Sequence, residues 1–222
     1  MENLKKIGTI VYLKVSKEEL KTIADVGLVG FPSVGKSSLI SVISAAKPKI
    51  ADYHFTTLTP NLGVVKAEDY SYVVADLPGM IEGASDGIGL GDKFLKHASR
   101  CRVVCHVLDM AQVDQRDVVE DYKIIRNELK NYDEHLYNKY ELIVANKMDV
   151  DGSELYLEDF KNRLEDQIEI FPISSFTREG LIPLIKRTYE LVKTTPEFPL
   201  IDENEIEQVT TFGIKEDSKE NG

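Results

Sequence analysis

Residues 30–37 read Gly30-Phe31-Pro32-Ser33-Val34-Gly35-Lys36-Ser37. The apolar run Ile23–Val29 stands before this stretch, and the segment Lys36–Ala46 after it has helical character. A strand, a turn of the pattern Gly-x-x-x-x-Gly-Lys-Ser and a helix together are the sequence signature of a P-loop. Glycines let such a loop turn its backbone N–H groups toward phosphate oxygens, and the helix N-terminus adds a positive dipole end. The stretch therefore predicts a nucleoside phosphate site.

A metal ion beside the phosphates is predicted by this stretch together with a second motif. We expect Lys36 to bridge the β- and γ-phosphates and the Ser37 hydroxyl to ligate Mg²⁺. The second motif, Asp76-Leu77-Pro78-Gly79, follows an apolar run, and a carboxylate there can hold Mg²⁺ through water. Gly79 would let its own N–H approach the γ-phosphate. An isolated Asp-x-x-Gly is common in turns, so this interpretation depends on the P-loop upstream.

A polar loop is predicted over residues 49–61, and it contains the pair Thr56-Thr57. A threonine here could complete the Mg²⁺ shell only while the γ-phosphate is present, and the loop could relax after hydrolysis. The residues alone leave the choice between the two threonines open. A second loop, over residues 79–91, holds five glycines and is predicted to be mobile.

Recognition of the base is predicted from Asn146-Lys147-Met148-Asp149, which follows the apolar run Leu142–Ala145. Guanine offers two adjacent donors, and one carboxylate, Asp149, can accept both. Adenine lacks that pair of donors and would leave the carboxylate unpaired, which can discriminate by roughly 10⁴-fold. Lys147 can lay its alkyl stem on the base plane, while Asn146 connects loops.

The last motif is Ser174-Ser175-Phe176, directly after the final predicted strand. Its backbone N–H groups could reach the guanine carbonyl oxygen. By itself the segment is typical of a helix N-cap, because its serines stand shortly before the predicted helix that begins at Glu179. Four ordered motifs, each at the end of an apolar run, thus predict one pocket for a guanine nucleotide and Mg²⁺.

Strands and helices alternate along the chain, which predicts an α/β fold of the P-loop NTPase type. We expect a mainly parallel sheet of about six strands with helices on both faces. The predicted strands are Ile23–Val29, Leu62–Lys66, Tyr70–Ala75, Val103–Leu108, Leu142–Ala145 and Glu169–Ile173, the second and third forming an antiparallel hairpin. The predicted helices are Lys36–Ala46, Asp92–Arg100, Asp114–Lys130, Leu155–Gln167 and Glu179–Lys193. Residues 23–196 would form the domain, with an N-terminal extension at 1–22 and an acidic, mobile tail at 197–222.

The bulk properties are compatible with one such domain. The chain has 222 residues, 42% of them hydrophobic, and its net charge of −11 argues against a nucleic-acid-binding surface of its own. Cys101 and Cys105 are predicted to be buried thiols rather than metal ligands, because the segment around them is apolar. Free thiols, no signal peptide and no apolar run of about 20 residues predict a cytoplasmic protein with no membrane span. We expect a monomer.

The motifs closely resemble those of the G domain of Obg, a family of bacterial ribosome-associated GTPases, over about Ile23–Leu200. The most specific matches are Ala24–Ser37, Phe55–Gly63 and Asp76–Ala84. The resemblance implies Mg²⁺-dependent GTP hydrolysis and the ribosomal large subunit as a partner. It assigns the metal ligand of the threonine pair to Thr57 and places the whole segment Phe55-Thr56-Thr57-Leu58-Thr59 at the nucleotide. The implied metal ligands are then Ser37, Thr57 and Asp76, and the implied catalytic residues are Lys36, Thr57 and Gly79.

Three further points follow from comparing this sequence with the family pattern. Obg-like proteins carry a hydrophobic residue after Asp-x-x-Gly, usually Leu or Ile and here Met80, where Ras-like enzymes place a water-orienting glutamine, and a thioether cannot polarise water. Slow intrinsic turnover is therefore expected. Ser33 stands where some relatives hold a stimulating K⁺ with an asparagine, which argues against K⁺ stimulation. Obg also has a glycine-rich N-terminal domain and usually a C-terminal one, and neither fits into 1–22 or 197–222. We thus expect an isolated G domain and a weakened ribosome contact.

The leading hypothesis is a nucleotide switch that slowly hydrolyses GTP to GDP and phosphate. The alternative is a nucleotide-gated binding scaffold with negligible hydrolysis, which Met80 keeps open. An ATPase comes third, because Asn146-Lys147-x-Asp149 is intact.

Overall fold

A single seven-stranded sheet organises the part of the chain that the computed structural model describes, residues 24–45, 49–50, 61–67, 70–77, 98–132, 134–164 and 167–196. The strands are β1 (Val26–Val29), β2 (Lys49–Ile50), β3 (Asn61–Ala67), β4 (Tyr70–Asp76), β5 (Val103–Asp109), β6 (Tyr140–Asn146) and β7 (Glu169–Pro172). Their order across the sheet is β2-β3-β4-β1-β5-β6-β7. Strand β3 pairs antiparallel with β2 and β4, and every other pair is parallel. The predicted mainly parallel sheet and the β3–β4 hairpin are confirmed.

Helices cover both faces of this sheet. They are α1 (Lys36–Ile43), α2 (Val118–Tyr132), α3 (Glu134–Tyr137), α4 (Ser153–Arg163) and α5 (Leu181–Thr194). The alternation along β6 shows the two faces: Leu142 and Val144 join one apolar cluster, and Ile143 joins the other. A strand buried on both faces reads as a continuous apolar run, which is why these strands could be recognised from the sequence.

Element boundaries differ from the predicted ones at four places. Lys49–Ile50 was predicted as loop, but it pairs with β3 as an edge strand. Helix α1 ends at Ile43, because Ser44 turns to an extended conformation and its Oγ accepts from the N–H of Val64. Helix α2 begins only at Val118, after Asp117 accepts the N–H groups of the first turn. The short helix α3 was not predicted.

Helix α5 is fixed to the sheet by packing and by a buried hydrogen bond. Leu184, Tyr189 and Val192 on one helix face are buried in the core. The hydroxyl groups of Tyr72, on β4, and Thr188, on α5, lie 2.6 Å apart. Burial raises the pKa of Tyr72. Of the helices in the described ranges, none has the length and apolarity that crossing a bilayer requires.

Strand β1 lies where the chain changes direction across the sheet. From β1 the chain runs to one side through β2, β3 and β4, and then to the other side through β5, β6 and β7. In open α/β sheets such a switch point opens a crevice at the carboxyl ends of the strands, which is where ligands bind. The loops after β1, β5 and β6 and the C-terminal residue of β4, Asp76, lie at this edge.

Candidate nucleotide-binding site

The loop between β1 and α1 approaches its neighbours closely at two glycines. Gly30 has φ +151°, and a Cβ there would lie 2.5 Å from the carbonyl oxygen of Val107. Gly35 has φ +101°, and a Cβ there would lie 2.3 Å from Nδ2 of Asn146. Both positions require glycine, for the backbone conformation and for space. The loop is therefore seated against β5 at one end and against the end of β6 at the other.

Lys36 begins α1 and turns its side chain back over the loop. Its Nζ donates hydrogen bonds to the carbonyl oxygens of Gly30, at 2.9 Å, and Phe31, at 3.0 Å. Burial lowers the pKa of Lys36, while the charge of Asp76 acts to raise it. A partly desolvated ammonium beside a helix N-terminus gives a positive potential suited to phosphate oxygens.

Two of the three predicted metal ligands lie in direct contact. Ser37 Oγ donates to Asp76 Oδ2 at 2.5 Å, which joins the start of α1 to the end of β4. A hydroxyl and a carboxylate are hard oxygen donors, and Mg²⁺ accepts such donors while keeping several waters. The pair therefore fits Mg²⁺. In the described ranges no cluster of three or more His, Cys, Asp and Glu could hold a metal ion. The third predicted ligand, Thr57, lies outside these ranges.

Several predicted site residues lie outside the described residues. These are Phe55, Thr56, Thr57, Leu58 and Thr59, Pro78 and Gly79, and also Met80. Their roles stay predictions.

Asn146, the last residue of β6, connects two loops through one buried side chain. Its Nδ2 donates to the carbonyl oxygen of Val34 at 2.9 Å, and its Oδ1 accepts from both N and Oγ of Ser175 at 3.1 Å. Asn146 is 1% exposed, so these bonds form away from water, where they are stronger. Asn146 thereby joins the phosphate loop, residues 30–35 between β1 and α1, to the loop around Ser175. Asn146 is also the first residue of the base motif, Asn146–Asp149.

The carboxylate of Asp149 is oriented by a serine. Ser174 Oγ donates to Asp149 Oδ1 at 2.6 Å and accepts from the N–H groups of Phe176, at 3.2 Å, and Thr177, at 2.9 Å. A hydroxyl that accepts from two backbone groups has a fixed position, so the carboxylate that it contacts is held as well. Asp149 itself is exposed.

The backbone N–H groups of residues 174–176, which the sequence predicts at the guanine carbonyl oxygen, have acceptors within the protein. The N–H groups of Ser174, Ser175 and Phe176 donate to Glu179 O, Asn146 Oδ1 and Ser174 Oγ, respectively. A base that contacts one of these groups would share it with an acceptor inside the protein, and that contact stays a prediction. The N-cap interpretation is wrong, because α5 begins at Leu181 after Gly180, with no side-chain cap.

A cavity of about 300 Å³ lies between these loops. Its lining includes Gly35, Asn146, Lys147, Asp149, Ser175 and Phe176. The phosphate loop, the base motif and the loop around Ser175 thus all contribute to one concave site. Its volume is at the lower end of the range for ligand pockets.

Sequence reasoning missed the loop that follows β5. Asp109 Oδ2 forms an ion pair of 2.8 Å with Nζ of Lys147. Farther along, the Arg116 guanidinium stacks on the Phe31 ring, 3.6 Å from its centroid, and pairs with Asp121. This loop therefore contacts both the base motif and the phosphate loop. Its one signal was that Asp109, like Asp76, is an acid that directly follows an apolar run.

The two cysteines are buried and free, as predicted. Burial raises the pKa of both Cys101 and Cys105 to about 12. His106, beside Cys105, is also buried, and its Nδ1 lies 3.2 Å from Oε1 of Glu141. The other oxygen of Glu141 lies 2.9 Å from Nη1 of Arg126. These groups form part of the core.

Comparison with known proteins identifies the family. The family model described as 50S ribosome-binding GTPase matches residues 25–147, more than half of the chain. The chain belongs to this family of GTPases. The predicted resemblance to Obg is confirmed as well: GTPase Obg of Anoxybacillus flavithermus is 58% identical over 188 residues, which are 84% of this chain and 44% of that protein. The chain thus spans less than half the length of this curated GTPase.

Two crystal structures of Era have the same fold. An Era variant from Aquifex aeolicus bound to GDP.AlF4- has a TM-score of 0.57 at 24% identity, covering 82% of this chain and 60% of that one. Era in complex with MgGDPNP and nucleotides 1506-1542 of 16S ribosomal RNA has a TM-score of 0.57 at 25% identity, covering 83% and 61%. The P-loop GTPase G domain fold is therefore confirmed.

Proposed function

We propose that this chain binds GTP and GDP together with Mg²⁺ and hydrolyses GTP to GDP and phosphate. The observation that carries the proposal is that Asn146 bonds both the phosphate loop and the loop around Ser175, and that Gly35 and Asp149 line one cavity. Phosphate-binding and base-binding groups on one cavity suit a nucleotide better than a free phosphate or a free base. Membership of a GTPase family supports the same conclusion.

The choice of guanine depends on the carboxylate of Asp149. That carboxylate can accept two donors from one base edge, N1–H and the exocyclic amine of guanine, which no other common purine presents together. Asp149→Asn replaces one acceptor with a donor, which complements xanthine, whose C2 carries an oxygen. For the Asp149→Asn variant, competition titration against labelled GDP should then show that xanthosine diphosphate (XDP) binds more tightly than GDP. Unchanged preference for GDP in that variant would contradict the assignment.

Hydrolysis requires water to attack the γ-phosphate while the developing negative charge is stabilised. Lys36, at the start of α1, would neutralise charge on the β- and γ-phosphate oxygens. Ser37 and Asp76 would hold Mg²⁺, directly and through water respectively. When bound, this ion would neutralise charge on the same oxygens. Thr57 and Gly79 would contact the γ-phosphate and so distinguish GTP from GDP.

The rate of hydrolysis should be low without a partner, because Met80 cannot orient the attacking water. Single-turnover hydrolysis with excess protein tests this. Lys36→Ala should abolish both GTP binding and phosphate release, whereas Lys186→Ala, on the exposed face of α5, should leave both unchanged. Tight GTP binding by the wild-type chain with no phosphate release would favour the alternative function, a nucleotide-gated scaffold.

The ribosomal large subunit is the partner that we propose, with the chain acting as a monomer in the cytoplasm. The family description, 50S ribosome-binding GTPase, supports it. Cosedimentation with purified 50S subunits, in GDP and in a non-hydrolysable GTP analogue, measures the contact and its dependence on nucleotide. Equal recovery with 30S subunits would contradict a specific large-subunit role.

A further inference from the structure

We infer that Asp109 is a positioning residue of the base site: its carboxylate holds the Lys147 side chain in the orientation that receives one face of the purine. The inference rests on the proposed function, because it concerns the same cavity. Asp109 belongs to none of the four motifs, and it ends β5, the strand next to the one that ends in the base motif.

The contact between the two residues is direct and partly shielded from water. Lys147 Nζ lies 2.8 Å from Asp109 Oδ2, and the two side chains are 23% and 13% exposed. Lys147 also lines the cavity. A lysine side chain has many rotamers, so a free one would spend much of its time away from the base. The ion pair fixes the position of the Lys147 ammonium group, and the backbone fixes the other end of the side chain. The alkyl stem between them then forms an apolar surface on which the base can pack.

Asp109 is itself firmly held, as an anchor must be. It is the register partner of Asn146 in the β5–β6 pair. Its Oδ1 accepts a hydrogen bond from the N–H of Ala111 at 2.9 Å, and the next residue, Met110, donates its N–H to the carbonyl of Asn146 at 3.0 Å. The carboxylate therefore has a fixed position relative to the base motif before any ligand binds, which reduces the ordering needed on binding.

Asp109 could instead serve only to fold its own loop, since its Oδ1 accepts the Ala111 N–H at 2.9 Å and its Oδ2 accepts the Val113 N–H at 3.4 Å. Asp109→Asn separates the positioning role from most of the structural role. An asparagine retains an oxygen for the shorter of these two bonds but has no charge to hold Lys147. The main loop bond would survive this change, whereas the ion pair would not.

The experiment is a double-mutant cycle on GDP affinity, measured by calorimetry with Mg²⁺ on the full chain. Asp109→Asn should raise the Kd about tenfold, equivalent to about 1.4 kcal/mol. Lys147→Met keeps an apolar stem but loses the ion pair, so it should lose at least as much. Because both changes break the same contact, the double variant should bind within about twofold of Lys147→Met.

Asp117→Asn is the matched control. Like Asp109, Asp117 is an acid that accepts backbone N–H groups and pairs with a cation, but it lies in the loop after β5 and its cation is Arg163. Its Kd for GDP should stay within about twofold of wild type.

Two results would overturn the inference alone: additive losses in the cycle, or wild-type GDP affinity in Lys147→Met. The second result can be obtained even if the Asp109→Asn variant does not fold, because it requires only Lys147→Met. Failure of the wild-type chain to bind GDP would instead remove the proposed function and this inference together.

Discussion

Replacing Asn146 with alanine should destabilise the whole domain and not only the base site. The amide is buried, and its loss removes the hydrogen-bond partners of three groups: the carbonyl of Val34 and the N–H and Oγ of Ser175. Val34 and Ser175 are 5% and 8% exposed. A buried polar group without a partner costs about 1–3 kcal/mol. Because a water molecule could enter the space of the lost amide, we take the lower value for each, about 3 kcal/mol in total.

Urea unfolding followed by far-UV circular dichroism measures this loss, since the chain has no tryptophan to report on it. In a thermal scan the same loss should lower Tm by roughly 6–12 °C for a domain of this size. Asn127→Ala provides the control, because Asn127 lies on the exposed face of α2. The same deletion there should change the free energy of unfolding by less than about 0.5 kcal/mol.

The reasoning would be refuted by a loss below about 1 kcal/mol in Asn146→Ala at an unchanged m-value. Such a result would mean that the three polar groups find other partners at almost no cost. Equal losses in the two variants would also refute it, because burial would then have no part in the effect.

Burial should protect the thiols: with pKa values of about 12, Cys101 and Cys105 should not react with iodoacetamide at pH 8 until urea unfolds the chain, as mass spectrometry can check. Tyr72→Phe should lower the free energy of unfolding by about 1 kcal/mol, because a buried hydrogen bond to α5 is lost, and a urea midpoint equal to that of the wild type would contradict this. Asp117→Asn should destabilise the domain at pH 7. Burial acts to raise the pKa of Asp117, but hydrogen bonds from Arg163 and from backbone N–H groups outweigh it and lower the pKa. The stabilisation is therefore complete above the unfolded pKa of about 3.9 and lost as the pH falls through the folded one, so a pH-independent difference between the urea midpoints would argue against it.

The sequence predicted the features that depend on local patterns. The glycine spacing before Lys36 identified a strand, a loop and a helix in the right order, because the loop conformation itself requires those glycines. The buried strands could be recognised because a strand covered on both faces is apolar throughout. The proximity of Ser37 and Asp76 followed from one rule, that parallel strands end at a common edge.

What the sequence could not predict depends on register and on partners far along the chain. The contact of Asp109 with Lys147 exists because β5 and β6 pair with Asp109 opposite Asn146, and no periodicity records that pairing. The segment Ser174–Phe176 resembled a helix N-cap because its serines stand shortly before a helical pattern. Its hydroxyl instead bonds Asp149 and its own loop, a choice that only the folded neighbours determine.

The buried amide of Asn146 has a thermodynamic consequence, because one side chain connects the phosphate end of the pocket to the base end. Asn146 bonds both the phosphate loop and the loop around Ser175, so a ligand group that restrains one loop would also restrain the other. Guanosine and pyrophosphate, added as separate molecules, should therefore bind with positive cooperativity. By linkage, the factor by which each tightens the other must be the same. The binding free energy of the whole nucleotide would then be more favourable than the affinities of guanosine and pyrophosphate measured separately indicate. The reason is that binding of either group would already restrain the loop that contacts the other.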